Sequence, residues 1–243
     1  MEELEDPALQ KALERHLKHP PPFSRDELGS VEDLHVRHAR SLFGLNRCSN
    51  LQLLIAVGCD ASIDLSDVIR LERLACLIVR DSGVQNLDAL DDWSWTTTLS
   101  VYTPRNCITD ATPLTRIPRL QDADLTGNPL SEHSYRNVVP ALRGRGTRVL
   151  VSGELEWKVT RHLHEQGIPV SCYKKRGASA FTLCRPGLEL TDSPEYGHVE
   201  VREKEVESLL AGRPEDVFRF FPEKVEPAPG GAHALTPPNL AAR

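Results

Sequence analysis

The run Leu120-Gln-Asp-Ala-Asp-Leu-Thr-Gly-Asn128-Pro-Leu130 reads as leucine, two free positions, an apolar residue, one free position, leucine, two more, then asparagine. Residues alternating in and out over such a span suit a short strand. The asparagine closes the turn by bonding backbone groups that no strand partner reaches. One unit of this kind cannot bury its own apolar face, so the pattern implies neighbours stacked upon it.

Four further copies lie upstream. Thr96, Leu99 and Val101 form one, with Pro104 in the asparagine position, and Leu74, Leu77 and Val79 form another, with Ser82 there. Leu51, Leu54 and Ala56 follow with Cys59; Val31, Leu34 and Val36 with Ala39 make the most decayed copy. The starts are about 20 to 24 residues apart, within the period of leucine-rich repeats. On these residues the chain resembles the leucine-rich repeat family, in period closest to the internalin-like and protein-phosphatase-regulator-like classes. The resemblance covers roughly residues 28 to 142, and only the Leu120 copy is near-consensus. It implies an α/β fold: a solenoid with a curved parallel sheet, short convex helices, an N-terminal helical cap and a small C-terminal α/β cap. The bland competitor is an ordinary α/β domain with leucines in step by chance.

Residues 1 to 27 read as a helix and a Pro-rich link. Leu9, Leu13 and Leu17 recur at steps of four behind Pro7, which suits a first helical turn, and Pro20-Pro21-Pro22 stops the helix. Such a helix ahead of a solenoid caps its first exposed core. Between the repeats, Asn86-Leu87-Asp88-Ala89-Leu90 and Asp110-Ala111-Thr112-Pro113-Leu114 fit single turns of 3₁₀ or short α-helix, and Pro113 and Pro118 exclude longer ones. Trp93 and Trp95 read as core or edge residues closing a gap in the stack. Ser131 opens a longer helix through Tyr135, Val138, Val139 and Leu142. A shift of 21 residues then superposes Val138, Leu142, Gly146 and Val149 on Val159, Leu163, Gly167 and Val170. Residues 143 to 173 are therefore expected to continue the solenoid as helix–strand units. Residues 174 to 222 read as a C-terminal cap or docked subdomain, and the Pro- and Gly-rich stretch 223 to 243 as a disordered tail.

At 243 residues, with 40% hydrophobic and 26% charged residues, the composition is that of a soluble globular protein. A net charge of −6 argues against a general nucleic-acid binder. No stretch reaches the roughly 20 apolar residues of a membrane span, and the acidic N-terminus is unlike a secretory signal. The expectation is a cytoplasmic protein whose six cysteines are reduced, mostly buried thiols. No P-loop, G-x-G-x-x-G after a strand, H-E-x-x-H or G-x-S-x-G occurs. No catalytic residue, metal site or cofactor is therefore expected.

If the strands form a concave parallel sheet, the residues alternating with the inward leucines point out. They are Asp33, His35, Arg37; Leu53, Ile55, Val57; Cys76, Ile78, Arg80; Thr98, Ser100, Tyr102; and Asp122, Asp124, Thr126. Leu53, Ile55, Val57, Cys76 and Ile78 then make an apolar patch, rimmed by Arg37, Arg80, Tyr102, Asp122 and Asp124. Patches of this kind are seldom left bare on a monomer, and an apolar centre within an aromatic and charged rim has the anatomy of a protein-binding surface. Two readings compete: the chain itself folds over the patch, or a one-residue slip turns these side chains into core. The expected function is a non-catalytic module that binds another protein, with no membrane or nucleic-acid partner. The alternatives are an enzyme or nucleotide-handling activity in residues 150 to 222, and a stoichiometric inhibitor or immunity-type regulator.

Overall fold

The computed structural model describes residues 4 to 60, 63 to 185 and 198 to 221. Six short strands, β1 (Asp33–Arg37), β2 (Leu53–Val57), β3 (Cys76–Arg80), β4 (Leu99–Tyr102), β5 (Leu120–Asp124) and β6 (Arg148–Leu150), form one parallel sheet in chain order. The first four crossovers contain single 3₁₀ turns, at Leu45–Arg47, Val68–Arg70, Asp88–Asp92 and Thr112–Arg116. A repeat this short leaves too few residues for a helix of several turns, and Pro113 lacks the N–H that a longer one needs. This is a leucine-rich-repeat solenoid.

Its core is a set of columns. Leu34, Leu54 and Leu77 lie side by side in register, followed by Val101, Ala123 and Val149. All six are buried, and fully burying a large aliphatic contributes about 1.5–3 kcal/mol. The register corrects the fourth repeat. Leu77 pairs with Val101, not with Leu99, and Leu99 sits opposite Leu120 across a bulge. The asparagine position therefore falls at Asn106, two residues beyond Pro104. A two-residue slip preserves the in–out alternation, so apolarity alone does not separate the two frames. Hydrogen bonding does.

The Asn106 Oδ1 accepts from the backbone N–H of Ser82 (3.0 Å) and Val84 (3.3 Å). Its Nδ2 donates to the carbonyls of Val79 (2.8 Å), Thr103 (3.1 Å) and Pro104 (3.3 Å). Asn128 repeats this one rung on, accepting from Ile108 N–H and donating to the carbonyls of Thr103 and Leu125. In the rung before, the Ser82 hydroxyl accepts from Cys59 N–H and donates to the Arg80 carbonyl. Just ahead of this ladder runs a column of left-handed residues: His38, Gly58, Asp81, Arg105 and Gly127. They turn the chain off the sheet, and at Gly127 an added Cβ would meet the Arg105 Cγ at 2.9 Å.

The N-terminal edge is covered by α1 (Pro7–Leu17), which buries Leu9, Ala12 and Leu13. Asp6 fixes it from both sides. One carboxylate oxygen caps the helix at Ala8 and Leu9, and the other accepts from Arg40 and Ser41 N–H in the first repeat. A short second helix, α2 (Arg25–Gly29), carries a capping box between Ser24 and Glu27.

Beyond Leu130 the crossover lengthens. The Ser131 hydroxyl accepts from Ser134 N–H, a π-helical turn spans Ser134–Val138, and α3 (Val139–Gly144) follows. Pro140 has no N–H to bond four residues back, which accounts for the widened turn ahead of it. Helix α4 (Glu154–Glu165) belongs to two cores. Trp157 joins the solenoid, stacked on Tyr135 at 4.0 Å and donating to the Leu130 carbonyl at 2.7 Å. Val159 and Leu163 join a second core instead.

That second core lies under β7 (Ser171–Lys174), β8 (Phe181–Cys184), β9 (Val199–Val201) and α5 (Glu203–Ala211), the strands forming a separate antiparallel sheet. The expected continuation of the solenoid to residue 173 thus ends at β6. The helix and its closing glycine recur as the 21-residue shift requires, but β7 pairs with β8. That hairpin satisfies its backbone locally, without a seventh rung. The expected tail, residues 223 to 243, lies outside the described residues.

His164 on α4 gives this region an acid limit. Its Nε2 is buried with no hydrogen bond among the described residues, and burial pushes its pKa down to about 4. An unfolded histidine titrates near 6.5, so between these values the unfolded chain binds the extra proton. This contribution is complete above pH ~6.5 and is lost as pH falls towards 4, by about 2–3 kcal/mol given the residual exposure of the ring. Urea titrations from pH 7 to 4 should show His164→Gln flattening that fall. An equally steep fall in the variant would assign the acid limit to other groups.

Candidate functional site

Strand register lays the outward residues of the concave face in three rows. The first runs Asp33, Leu53, Cys76, Ser100, Asp122, Arg148; the second His35, Ile55, Ile78, Tyr102, Asp124, Leu150; the third begins Arg37, Val57, Arg80. Leu54, Ala56, Leu77 and Val79, which alternate with them, are fully buried. A one-residue slip is thereby excluded.

Leu53, Ile55, Cys76 and Ile78 form a contiguous two-by-two apolar block, each partly exposed. Val57 differs from expectation. It stands in register between Arg37 and Arg80 and is only 4% exposed, so the patch has four accessible members. Tyr102 and Asp124 continue the central row and are also partly exposed.

Charge is divided along the sheet. At the N-terminal end, His35 is held below its ordinary pKa, first by desolvation and then by the fields of Arg37, Arg80 and Arg15. The surroundings of His35 are thus cationic, while the exposed Asp33 precedes it by two residues on β1. At the other end Asp122 accepts two hydrogen bonds from Arg148 (2.6 and 2.8 Å) and one from the Ser100 hydroxyl (3.2 Å). The Arg148 bonds lead in holding its carboxyl below the usual range. Asp122 and Asp124 therefore do not act as a bare carboxylate pair: the first is already engaged by a guanidinium.

Sequence reasoning missed Leu150, which closes the central row at 61% exposure. Extending the in–out alternation through Arg148, Val149 and Leu150 would have found it. The rival reading required a cleft of convergent polar groups in residues 150 to 222. Two surface clefts, lined from residues 25–50 and 60–89, lie elsewhere. Lys174 ends β7, 4.0 Å from the centre of the Phe181 ring, and Lys175 and Arg176 lie in the connection to β8.

Fold and face together define the class: a leucine-rich-repeat solenoid with an apolar centre on its concave sheet. No family model and no curated protein matches the chain. Among solved structures, it is similar to an internalin (inlF) from Listeria monocytogenes, at 16% identity and a TM-score of 0.48, over 64% of this chain and 53% of that one. It is also similar to internalin C2 (inlC2) from the same organism, at 13% identity and a TM-score of 0.40, over 64% of this chain and 80% of that one. The match thus spans about half the length of the first internalin.

Proposed function

We propose that this chain is a non-catalytic interaction module that docks another protein on its concave sheet, with Leu53, Ile55, Cys76 and Ile78 as the apolar centre. The observation that carries this reading is the contiguous two-by-two block of aliphatic and thiol side chains on a face whose other positions, apart from Val57 and Leu150, are polar or charged. Removing such a block from water supplies affinity. Arg37, Arg80, Tyr102, Asp122 and Asp124 form the rim, where charges orient a partner more than they hold it. The arginines around His35 favour acidic residues on the part of the partner that faces them. An inhibitory role would be the same docking event. The thiols suit a reducing cytoplasm: desolvation pushes the buried Cys48 up to about 12, and the buried Cys59 and half-buried Cys107 to about 11.

The test is the double substitution Ile55→Asp with Ile78→Asp. A partner captured by the native chain and then purified should bind the variant at least ~100-fold more weakly, because central apolar anchors each contribute about 2 kcal/mol or more. The thermal midpoint should barely move, since both side chains face outward. A large loss of stability with binding intact would show that the chain uses this face to hold itself together.

A further inference from the structure

Where the C-terminal unit meets the solenoid, three metal-ligating side chains converge from distant parts of the chain. Asp81 ends the third rung, within the left-handed column, at φ 55°. Cys184 is the last residue of β8, and His198 immediately precedes β9. All three are buried, at 0%, 0% and 1% exposure. One donor atom from each lies within 4.8 Å of the other two.

We propose that Asp81, Cys184 and His198 are three ligands of a zinc-type divalent cation that staples the antiparallel unit onto the solenoid. The donor set sorts the metals. Thiolate and imidazole suit Zn²⁺ and its neighbours in the first transition row, whereas Mg²⁺ and Ca²⁺ want oxygen alone. Three protein ligands leave a fourth position for water. A tetrahedral site needs donor–donor separations of roughly 3.3–3.7 Å, so side-chain rotations closing about 1 Å complete it.

The surroundings orient the ligands. The Tyr173 hydroxyl lies 2.9 Å from the Nδ1 of His198, so Nδ1–H can donate to it and leave Nε2 as the metal-binding nitrogen. Arg105 donates from Nε to one Asp81 oxygen (2.5 Å) and from Nη2 to the other (2.8 Å). Each of those oxygens keeps a second lone pair. Arg105 also lies over the Tyr173 ring, 4.9 Å from its centre. Tyr173 and Arg105 would thus be the outer shell, one fixing the tautomer of a ligating histidine and the other hydrogen-bonding a ligating carboxylate. Binding converts the Cys184 thiol to thiolate, and its proton leaves to solvent. Nothing is oxidised or reduced.

The experiment uses the full chain, stripped with a chelator and titrated with Co²⁺ and then Zn²⁺. One Co²⁺ should bind per chain with a thiolate-to-cobalt charge-transfer band, and Zn²⁺ should displace it. Free Zn²⁺ at 100 times its Kd should shift the folding equilibrium about 100-fold. Cys184→Ser should abolish the band and Cys76→Ser should keep it. Tyr173→Phe, which removes no ligand, should weaken metal affinity about 10–100-fold. The proposal is overturned if the native chain gives no thiolate–cobalt band, or if the band survives Cys184→Ser. Should Cys184→Ser fail to fold, the native spectrum together with the Tyr173→Phe titration decides.

Discussion

Asn106→Ala should lower the unfolding free energy by about 3–5 kcal/mol, far more than its exposed counterpart Asn86→Ala. The side chain of Asn106 is fully buried and makes five hydrogen bonds, all to backbone, tying the third rung to the fourth. Truncation removes both acceptor and donor while the backbone groups stay buried. Each group left without a partner costs about 1–3 kcal/mol. Some carbonyls keep other donors, as Thr103 does through Asn128, so the sum is smaller than five full penalties. Against a typical total of 5–15 kcal/mol this is a large share. Stability in a solenoid is carried between neighbours, so losing a central tie should also broaden the transition by uncoupling the rungs on either side. Urea unfolding followed by far-UV circular dichroism would measure both effects. A loss no greater than that of Asn86→Ala would mean that the ladder is not what joins the repeats.

The same residue shows where the sequence was legible. Alternating leucines predicted strands, faces and the concave patch, because burial of one face is a local, period-two constraint. The fourth repeat was misplaced by two positions because Leu99 and Val101 satisfy that constraint equally well. What separates them is the fit of one carboxamide to backbone groups of the preceding rung, a three-dimensional fact. The 21-residue similarity between helix–strand blocks was real in the helix and its closing glycine. It failed at β7, where pairing depended on which strand lay nearest. Leu150 was readable by extending the alternation one rung. The convergence of Asp81, Arg105, Tyr173, Cys184 and His198 was not, since no spacing in the chain relates them.

Arg105→Met should cost about 3–5 kcal/mol, and adding Asp81→Asn should restore more than half of that loss. Two ion pairs in this molecule have nearly the same fork geometry: Arg105–Asp81 at 2.5 and 2.8 Å, and Arg148–Asp122 at 2.6 and 2.8 Å. They differ in solvent. The Arg105 and Asp81 side chains are 11% and 0% exposed, whereas Arg148 is 72% exposed. Burial opposes the charge on Arg105, but the hydrogen bonds and field of Asp81 outweigh it and hold the guanidinium more firmly protonated than usual. Removing the cation strands a carboxylate without water or counter-charge, the expensive half of a buried pair. Removing both charges leaves a neutral carboxamide short of partners, a smaller penalty than a stranded charge, and both left-handed positions keep side chains unbranched at Cβ that tolerate them no worse than before. The Arg148→Met change should cost about 1 kcal/mol or less, because water replaces what the pair supplied. Chemical denaturation of the four proteins of the Asp81/Arg105 cycle, in chelator, gives the coupling directly. A coupling no larger than that of the exposed pair would mean that solvent reaches the junction between the solenoid and the C-terminal sheet. Because Arg105 touches Tyr173 of that sheet, the single substitution should also speed amide exchange in β7 and β8 before it does so in β2 and β3.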